Sequence, residues 1–486
     1  MQKNVLHAMA VVVVMLVSLT LACNHSTSEN KLGPLRPHNA NPRYFSDPSG
    51  DVEYLTGSHT WSNLQDFGKT DSPEPFDFDS YLNFLIRYNH NFIRLWRWEL
   101  SVFDVGTGLF YVNPHPWPRV GPAKALDGKP AFDLMTFNQS YFNRLRERVI
   151  AAGEREIYVS IMLFEGWGIQ TSNAPWCWDG HPFNKANNVN GIDGDADDDG
   201  RGIEIQTLAD PAVTALQEAY VRKVIDTVND LDNVLYEIVN ESGGYSTEWQ
   251  YHFIRFVKDY ESGKPKQHPV GMTFQYSRDT AVRGKNETLF ASPADWISPN
   301  PDGGWRDDPP DSSGVKIVIN DTDHLWGIGG NRAWVWKSFC RGLNPIFMDR
   351  YGYFVPPDST RKTQWVDFIE PVPAVDPKFE SVRLNLGHTR SYARRMNLAD
   401  CVPCPKLAST GFCLANIGVE YLVYAPDGGS FTVDLGDIET SYVTEWFDPE
   451  TGTEQPGQIV RGGEIRSFSV PFDNDAVLYL KMNDGR

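Results

Sequence analysis

Glu241 ends the run Asn233-Val234-Leu235-Tyr236-Glu237-Ile238-Val239-Asn240, a short apolar stretch that finishes on Asn-Glu. A carboxylate at the C-terminal lip of a parallel strand is well placed for proton transfer at a barrel mouth. Further along, Lys316-Ile317-Val318-Ile319 runs into Asn320, Asp321, Thr322, Asp323 and His324. Two carboxylates on opposite sides of a pocket suit the cleavage of a glycosidic bond. One protonates the leaving oxygen, and the other attacks or stabilises the oxocarbenium-like centre. Glu241 is the expected acid/base. Asp321, nearer the strand end, is the expected partner, with Asp323 on the same strand face as the alternative. Glu237 shares the face of Glu241 by the period of two. If that face points inward, Glu237 needs a buried cation, and Arg94 is the candidate.

Those positions need elements to hold them. From about residue 45, short apolar stretches alternate with amphipathic helical patterns, which is the signature of βα units and a parallel sheet. The expected strands are Glu53–Gly57, Phe92–Trp96, Glu156–Met162, Val234–Val239, Pro269–Phe274, Asp295–Ile297, Lys316–Ile319 and Pro345–Met348. Eight strands close a (β/α)8 TIM barrel, an α/β fold. Asp210-Pro211 reads as an N-cap with Pro at the first helical position. Thr247 and Gln250 read as a capping box. After about residue 405 the helical period disappears. Short strands split by Gly, Pro and Asp turns predict a small C-terminal antiparallel β-sandwich.

The strand ends bring a polar and aromatic set to one rim. The first contributes His59 and Trp61, the second Arg94, Trp96 and Trp98, the third Glu165, and the fourth Asn240. The fifth contributes Tyr276, the seventh Asp323, His324 and Trp326, and the eighth Asp349. These are the expected substrate-binding residues, with Trp61, Trp96 and Trp98 offered as platforms for sugar faces. A separate acidic stretch, Asp195-Ala196-Asp197-Asp198-Asp199-Gly200, matches the first half of a calcium loop. Position 12 would be Gln206 rather than the bidentate Glu of a full site. Asp195, Asp197 and Asp199 are the expected ligands of a structural calcium, and no other cofactor is required.

The whole chain has 486 residues and a formal net charge of -19. That charge disfavours nucleic-acid partners, which need a basic face. The length calls for two domains, one large and one small. Lys3 and the apolar run Val5 to Leu21 read as a signal peptide over residues 1–22, excluded from the fold. Leu19-Thr20-Leu21-Ala22-Cys23 is similar to a bacterial lipobox, with Cys23 as the lipidated residue. Export to the cell envelope, with membrane contact only through that lipid, is the expected localisation. Residues 23–44 read as a flexible tether, 45–400 as the barrel and 405–486 as the sandwich. Cys401, Cys404 and Cys413 cluster without a fourth metal ligand, so one disulfide among them is expected rather than zinc. No His-Glu-x-x-His helix, Gly-x-Ser-x-Gly elbow or Walker loop occurs.

Leu235 to Glu241 resembles the Asn-Glu strand of the clan-A retaining glycoside hydrolases. The resemblance implies that Glu241 is the acid/base, that an acidic residue ending strand seven is the nucleophile, and that Arg94 neighbours that nucleophile. Tyr54-Leu55-Thr56-Gly57-Ser58-His59-Thr60-Trp61 resembles the start of apiosidase-like barrels of a formerly uncharacterised family. Tyr421 to Pro426 and Val443 to Gly452 resemble the module often fused to them, which is named for collagen binding. The chain departs from the clan pattern at the nucleophile, where Asp stands for the usual Glu. One methylene less widens the carboxylate gap toward that of inverting enzymes. The expectation is an exported glycoside hydrolase acting on poly- or oligosaccharides, retaining by resemblance. The alternative is a non-catalytic carbohydrate- or matrix-binding surface protein on the same scaffold.

Overall fold

The computed structural model describes residues 33–351, except Thr107 and Asn173, and residues 375–483. The expected signal peptide, the lipidated Cys23 and the first part of the tether lie outside the described residues. The rest of the expected tether is built into the fold. Arg36–Pro37 pairs with Phe45–Ser46, Leu35 and Tyr44 are buried, and Asn41 Nδ2 donates to the carbonyls of Leu398 and Cys401 at 2.7 and 2.8 Å. Apolar side chains among the polar ones anchor this stretch.

Eight parallel strands form the barrel: β1 Gly57–His59, β2 Phe92–Leu95, β3 Tyr158–Glu165, β4 Val234–Asn240, β5 Val270–Thr273, β6 Trp296–Ser298, β7 Ile317–Asp321 and β8 Asn344–Met348. Hydrogen bonding runs β1-β8-β7-β6-β5-β4-β3-β2, so the ladder is continuous except between β1 and β2. That seam closes by contact. A Cβ at Gly57 would lie 2.3 Å from the Phe92 carbonyl oxygen, so only glycine lets the two backbones meet there. Just below, Asn91 N–H donates to the Thr56 carbonyl at 2.9 Å. All eight expected strands are present. The first is displaced toward its C-terminal end, which puts His59 on the strand itself.

Helices α1 Phe78–Arg87, α2 Gln139–Gly153, α3 Trp167–Thr171, α4 Pro211–Val228, α5 Thr247–Ser262, α6 Asn286–Ala291, α7 Thr322–Trp326, α8 Arg332–Cys340 and α9 Glu380–Arg395 connect or follow these strands. Helix α4 starts as expected. The Asp210 carboxylate accepts from Ala212 and Val213 N–H, with Pro211 at the first helical position. Helix α5 begins one residue earlier than its pattern suggests. Ser246 is the N-cap, and Gln250 Nε2 reaches back to its hydroxyl at 2.8 Å. Outward-facing strand residues and the inner helix faces make one large core, which includes Ile161, Tyr220, Val224, Ile238 and Phe253.

The C-terminal domain is antiparallel. Its main sheet is ordered (Val402–Pro403)-(Cys413–Asn416)-(Glu420–Ala425)-(Ala476–Met482)-(Ser441–Asp448)-(Thr453–Pro456), faced by a two-stranded sheet of Ser430–Asp434 and Ile465–Ser469. Phe431, Val433 and Phe468 of the small sheet pack on Tyr421, Val423, Trp446 and Leu478 of the large one. The other face of the large sheet packs on the barrel. Trp336, Phe339 and Cys340 of α8 and Tyr392 of α9 share one core with Leu414, Leu422, Tyr424, Phe447 and Tyr479. The disulfide expected within Cys401, Cys404 and Cys413 is not formed, and all three are thiols. Cys401 lies in the core shared with the barrel, while Cys413 lies in the core between the two sheets.

Candidate active site

Arg94, pointing inward from β2, organises the barrel mouth. A guanidinium has five N–H donors, and all five are used. Nε and Nη2 grip Glu237 at 2.8 and 2.6 Å, Nη2 also donates to Asn240 Oδ1 at 2.6 Å, and Nη1 donates to Asp321 at 3.0 Å and Asp323 at 2.9 Å. Alternation along β4 thus turns Glu237 inward and pairs it with Arg94. Four carbonyl-type side chains from β4, β7 and α7 are tied to one cation, so strands on opposite sides of the barrel hold a common register.

The two aspartates differ. Asp321 caps α7 by accepting the Asp323 N–H at 3.0 Å, and it also meets His59 Nε2 at 3.0 Å. Its side chain has 0 % exposure. Burial alone would raise its carboxyl, but His59 and Arg94 outweigh burial and hold it well below the usual range. Asp323, one half-turn on, keeps 10 % of its side chain exposed. Burial raises its carboxyl to about 6, with Arg94 opposing and Asp321 adding to the rise.

Glu241 sits beyond the end of β4, 8 % exposed, with a left-handed φ of 51°. Burial pushes its carboxyl well above the ordinary value, and among its charged neighbours Asp323 adds most to the rise. Burial thus raises both carboxyls, and the hydrogen bond from Arg94 favours the ionised form at Asp323, a bond that Glu241 lacks among the described residues. Environments that separate paired carboxyls in this way assign the acid and the base.

The rest of the expected set falls into two groups. His59, Asn240 and His324 join the Arg94 cluster, while the Glu165 carboxyl stands outside it and accepts the Gly168 N–H at 3.0 Å. His324 Nδ1 meets Ser298 Oγ at 2.7 Å and its Nε2 lies 3.4 Å from Asn240 Oδ1, and burial beside Arg94 keeps its ring neutral. Asn240 Nδ2 is buried with no hydrogen-bond partner among the described residues. Glu165 ends β3, directly opposite Asn240 in the ladder, and burial pushes its carboxyl up to about 8. Tyr276 is half-buried on the β5 side, and its titration responds to the Glu241 charge.

Trp61, Trp96 and Trp98 do reach the mouth but do not offer open faces, being 7, 2 and 3 % exposed. Trp96 stacks on His59 at 5.9 Å, and Trp98 stacks on Phe67 and Phe103 at 5.2 and 4.9 Å. Phe67, Phe103 and Phe110 come from a three-stranded rim sheet of Asp66–Gly68, Leu109–Asn113 and Val102–Asp104, which covers the tryptophans. Their pattern could not reveal that cover. Trp326 turns away and packs edge-on against Trp334 at 5.5 Å. Asp349 is held bidentate by Arg383 of α9, both contacts at 2.7 Å, and serves as a structural ion pair.

In the acidic loop, carboxylate oxygens of Asp195, Asp197 and Glu204 lie within 4.8 Å of one another, and Glu204 stands where Asp199 was expected. Asp195 also accepts the N–H groups of Asp199 and Gly200, which tightens the turn. Glu204 lies beyond the six-residue acidic run, and only the following 3-10 turn, Ile203–Gln206, brings it back.

Residues 108–285 match the family described as "Domain of unknown function (DUF6298)", and residues 412–481 match the "Putative collagen-binding domain of a collagenase". The curated proteins gave no match. Among solved structures, one described as a "putative glycoside hydrolase" from Bacteroides vulgatus superposes with TM-score 0.61 at 11 % identity, covering 93 % of this chain and 82 % of its own. A family 5 glycoside hydrolase from the same organism gives 0.54 at 14 % identity, covering 92 and 93 %. A further glycoside hydrolase gives 0.54 at 13 % identity, covering 92 and 97 %. The fold, barrel and β-domain together, is thus one that glycoside hydrolases use.

Proposed function

We propose that the protein hydrolyses glycosidic bonds, with Glu241 as general acid/base and Asp323 as the carboxylate that meets the anomeric carbon. The observation that carries this reading is the placing of two carboxyls with unlike partners at the barrel mouth: Asp323, held by Arg94 at 2.9 Å, and Glu241, buried beyond the end of β4 and raised well above its ordinary value. Asp321, with both its oxygens engaged and no exposure, orients His59 and Arg94 and holds the start of α7. Asn240 Nδ2, buried and unpartnered, is free to donate to a sugar hydroxyl near the reacting carbon. Carbohydrate is the partner this chemistry takes. The apiosidase-like kinship rests on Tyr54 to Trp61 and remains part of this proposal, as do retention of configuration and export through a lipid-modified Cys23. The binding-protein alternative keeps one of its two motives, the β-domain, because the tryptophans that suggested a platform are covered.

Glu241→Gln should keep the fold and lower activity on an unactivated glycoside by at least about 10²-fold. Asp323→Asn should be similarly severe, whatever its effect on stability. A screen of plant and microbial glycans with the wild-type protein identifies the sugar, and full activity in Glu241→Gln would overturn the assignment.

A further inference from the structure

Glu241 is a non-glycine residue in the left-handed region, φ 51°. Such a conformation costs on the order of 1–3 kcal/mol and persists only where the surroundings impose it. One side chain holds the Glu241 carbonyl in place. Gln170, on the short helix α3 after β3, places its Nε2 2.8 Å from the Glu241 carbonyl oxygen, 3.2 Å from that of Tyr276 and 3.5 Å from that of Gly166. Three carbonyls, from the loops after β3, β4 and β5, converge on one amide.

The neighbouring backbone is fitted to this arrangement. Gly166 N–H donates to the Asn240 carbonyl at 2.8 Å, so the β3 loop follows the end of β4. A Cβ at Gly166 would stand 2.6 Å from the Cα of Ser242, the residue after Glu241. The chain therefore bends at Glu241 against a closely apposed loop, and Gln170 holds its carbonyl to that loop. With the carbonyl fixed, the Cα–Cβ direction of Glu241 is fixed as well. The Glu241 carboxyl itself has no hydrogen bond among the described residues, so the backbone has to aim it.

We propose that Gln170 is a positioning residue for the reaction: its amide locks Glu241 in the left-handed conformation that points the acid at the leaving-group oxygen. This rests on the reading of Glu241 as the acid/base. A group that acts by aiming an acid matters in proportion to how much the leaving group needs a proton. Its loss therefore shows with alkyl leaving groups and vanishes with dinitrophenolate, which departs unprotonated.

Gln170→Leu keeps the bulk and removes the donor. The test compares wild type, Gln170→Leu, Glu241→Gln and the double variant on alkyl and dinitrophenyl glycosides of the same sugars, with thermal melting of each. Gln170→Leu should lower kcat on the alkyl glycosides by about 10–100-fold, the scale of an ångström's misplacement. KM on the alkyl glycosides should change little, and kcat/KM on the dinitrophenyl glycosides, which reports the bond-breaking step alone, should stay within about threefold, a step too small to reflect lost acid catalysis. In the double variant, Gln170→Leu should add nothing to Glu241→Gln, the signature of two residues acting as one unit. Gln170→Glu supplies a second variant. Its carboxylate cannot donate, and its kcat on alkyl glycosides, taken relative to wild type at the same pH, should recover as pH falls and the carboxyl protonates. Equal losses on both leaving groups, or full additivity in the double variant, would overturn the role of Gln170 while leaving Glu241 in place. An unimpaired Glu241→Gln, or a wild-type protein that cleaves no glycoside in the set, would overturn the underlying reading and this inference with it.

Discussion

At the scale of single residues, the site is a charge-balance problem solved around Arg94. Its five donors satisfy Glu237, Asn240, Asp321 and Asp323, so no donor remains for substrate. Arg94→Met should therefore do more than weaken the site. It leaves the Glu237 and Asp321 carboxylates buried without their cation, a loss of about 3–5 kcal/mol measurable by denaturant unfolding. The titrations give a second expectation. Activity needs Asp323 ionised and Glu241 protonated. Because the Asp323 carboxyl lies at about 6, kcat/KM should fall as pH drops through that value. The alkaline limb belongs to Glu241, whose carboxyl is raised by burial, so the decline should lie at higher pH than an ordinary glutamate would give. The pair is one interacting system, and the profile reports the two together. Asp321→Asn should retain more of the rate than Asp323→Asn in the same assay. Equal losses would return Asp321 to the reacting position. The sequence exposed the ingredients of this cluster through strand-end positions and alternation. It could not separate Asp321 from Asp323, because both lie on one face and differ only in what the folded barrel places against them. Gln170 left no signal at all: a glutamine in a short helix says nothing about carbonyls on neighbouring strands.

At the scale of elements, the barrel strands were legible because each is a compact apolar run, and apolar runs bounded by turns survive tertiary context. Their ends were less so. β1 begins at Gly57 rather than at Glu53, because its pairing with β8 runs from Gly57 to His59. That seam supplies a test. Gly57→Ala forces a Cβ toward the Phe92 carbonyl, now 2.3 Å away, and the backbone cannot yield cheaply. A loss of about 1–3 kcal/mol is expected, read as a lowered melting temperature. The loops were the least legible elements. The rim sheet of Asp66–Gly68, Val102–Asp104 and Leu109–Asn113 covers Trp98 through Phe67, Phe103 and Phe110, and its strands are too short for their alternation to announce them.

At the scale of the whole molecule, barrel and β-domain share a core instead of meeting across a linker. Trp336 of α8 packs on Tyr392, Tyr424 and Phe447, donates its Nε1 to Asn385 at 2.7 Å and is fully buried. Polar contacts surround it: Arg332 of α8 reaches Asp475 at 2.8 Å, and Arg395 of α9 reaches Glu445 at 2.8 Å. Trp336→Ala should destabilise by about 3–5 kcal/mol. The two parts should also melt in a single calorimetric transition, whereas a tethered module would give two. The change of texture near residue 405 located the second domain in the sequence, but nothing in it marked the outer faces of α8 and α9 as interior.

That shared core sets an order of events during synthesis. The strand Ala476–Met482 is central in the large sheet, between Glu420–Ala425 and Ser441–Asp448, yet it is the last of the domain's described strands in chain order. Until it emerges, the sheet lacks its middle, and the strands that bring Tyr424 and Phe447 onto Trp336 have no shared partner to hold them in register. Folding of this domain therefore waits for that strand, and a nascent chain stopped short of it presents sticky surface to chaperones and proteases.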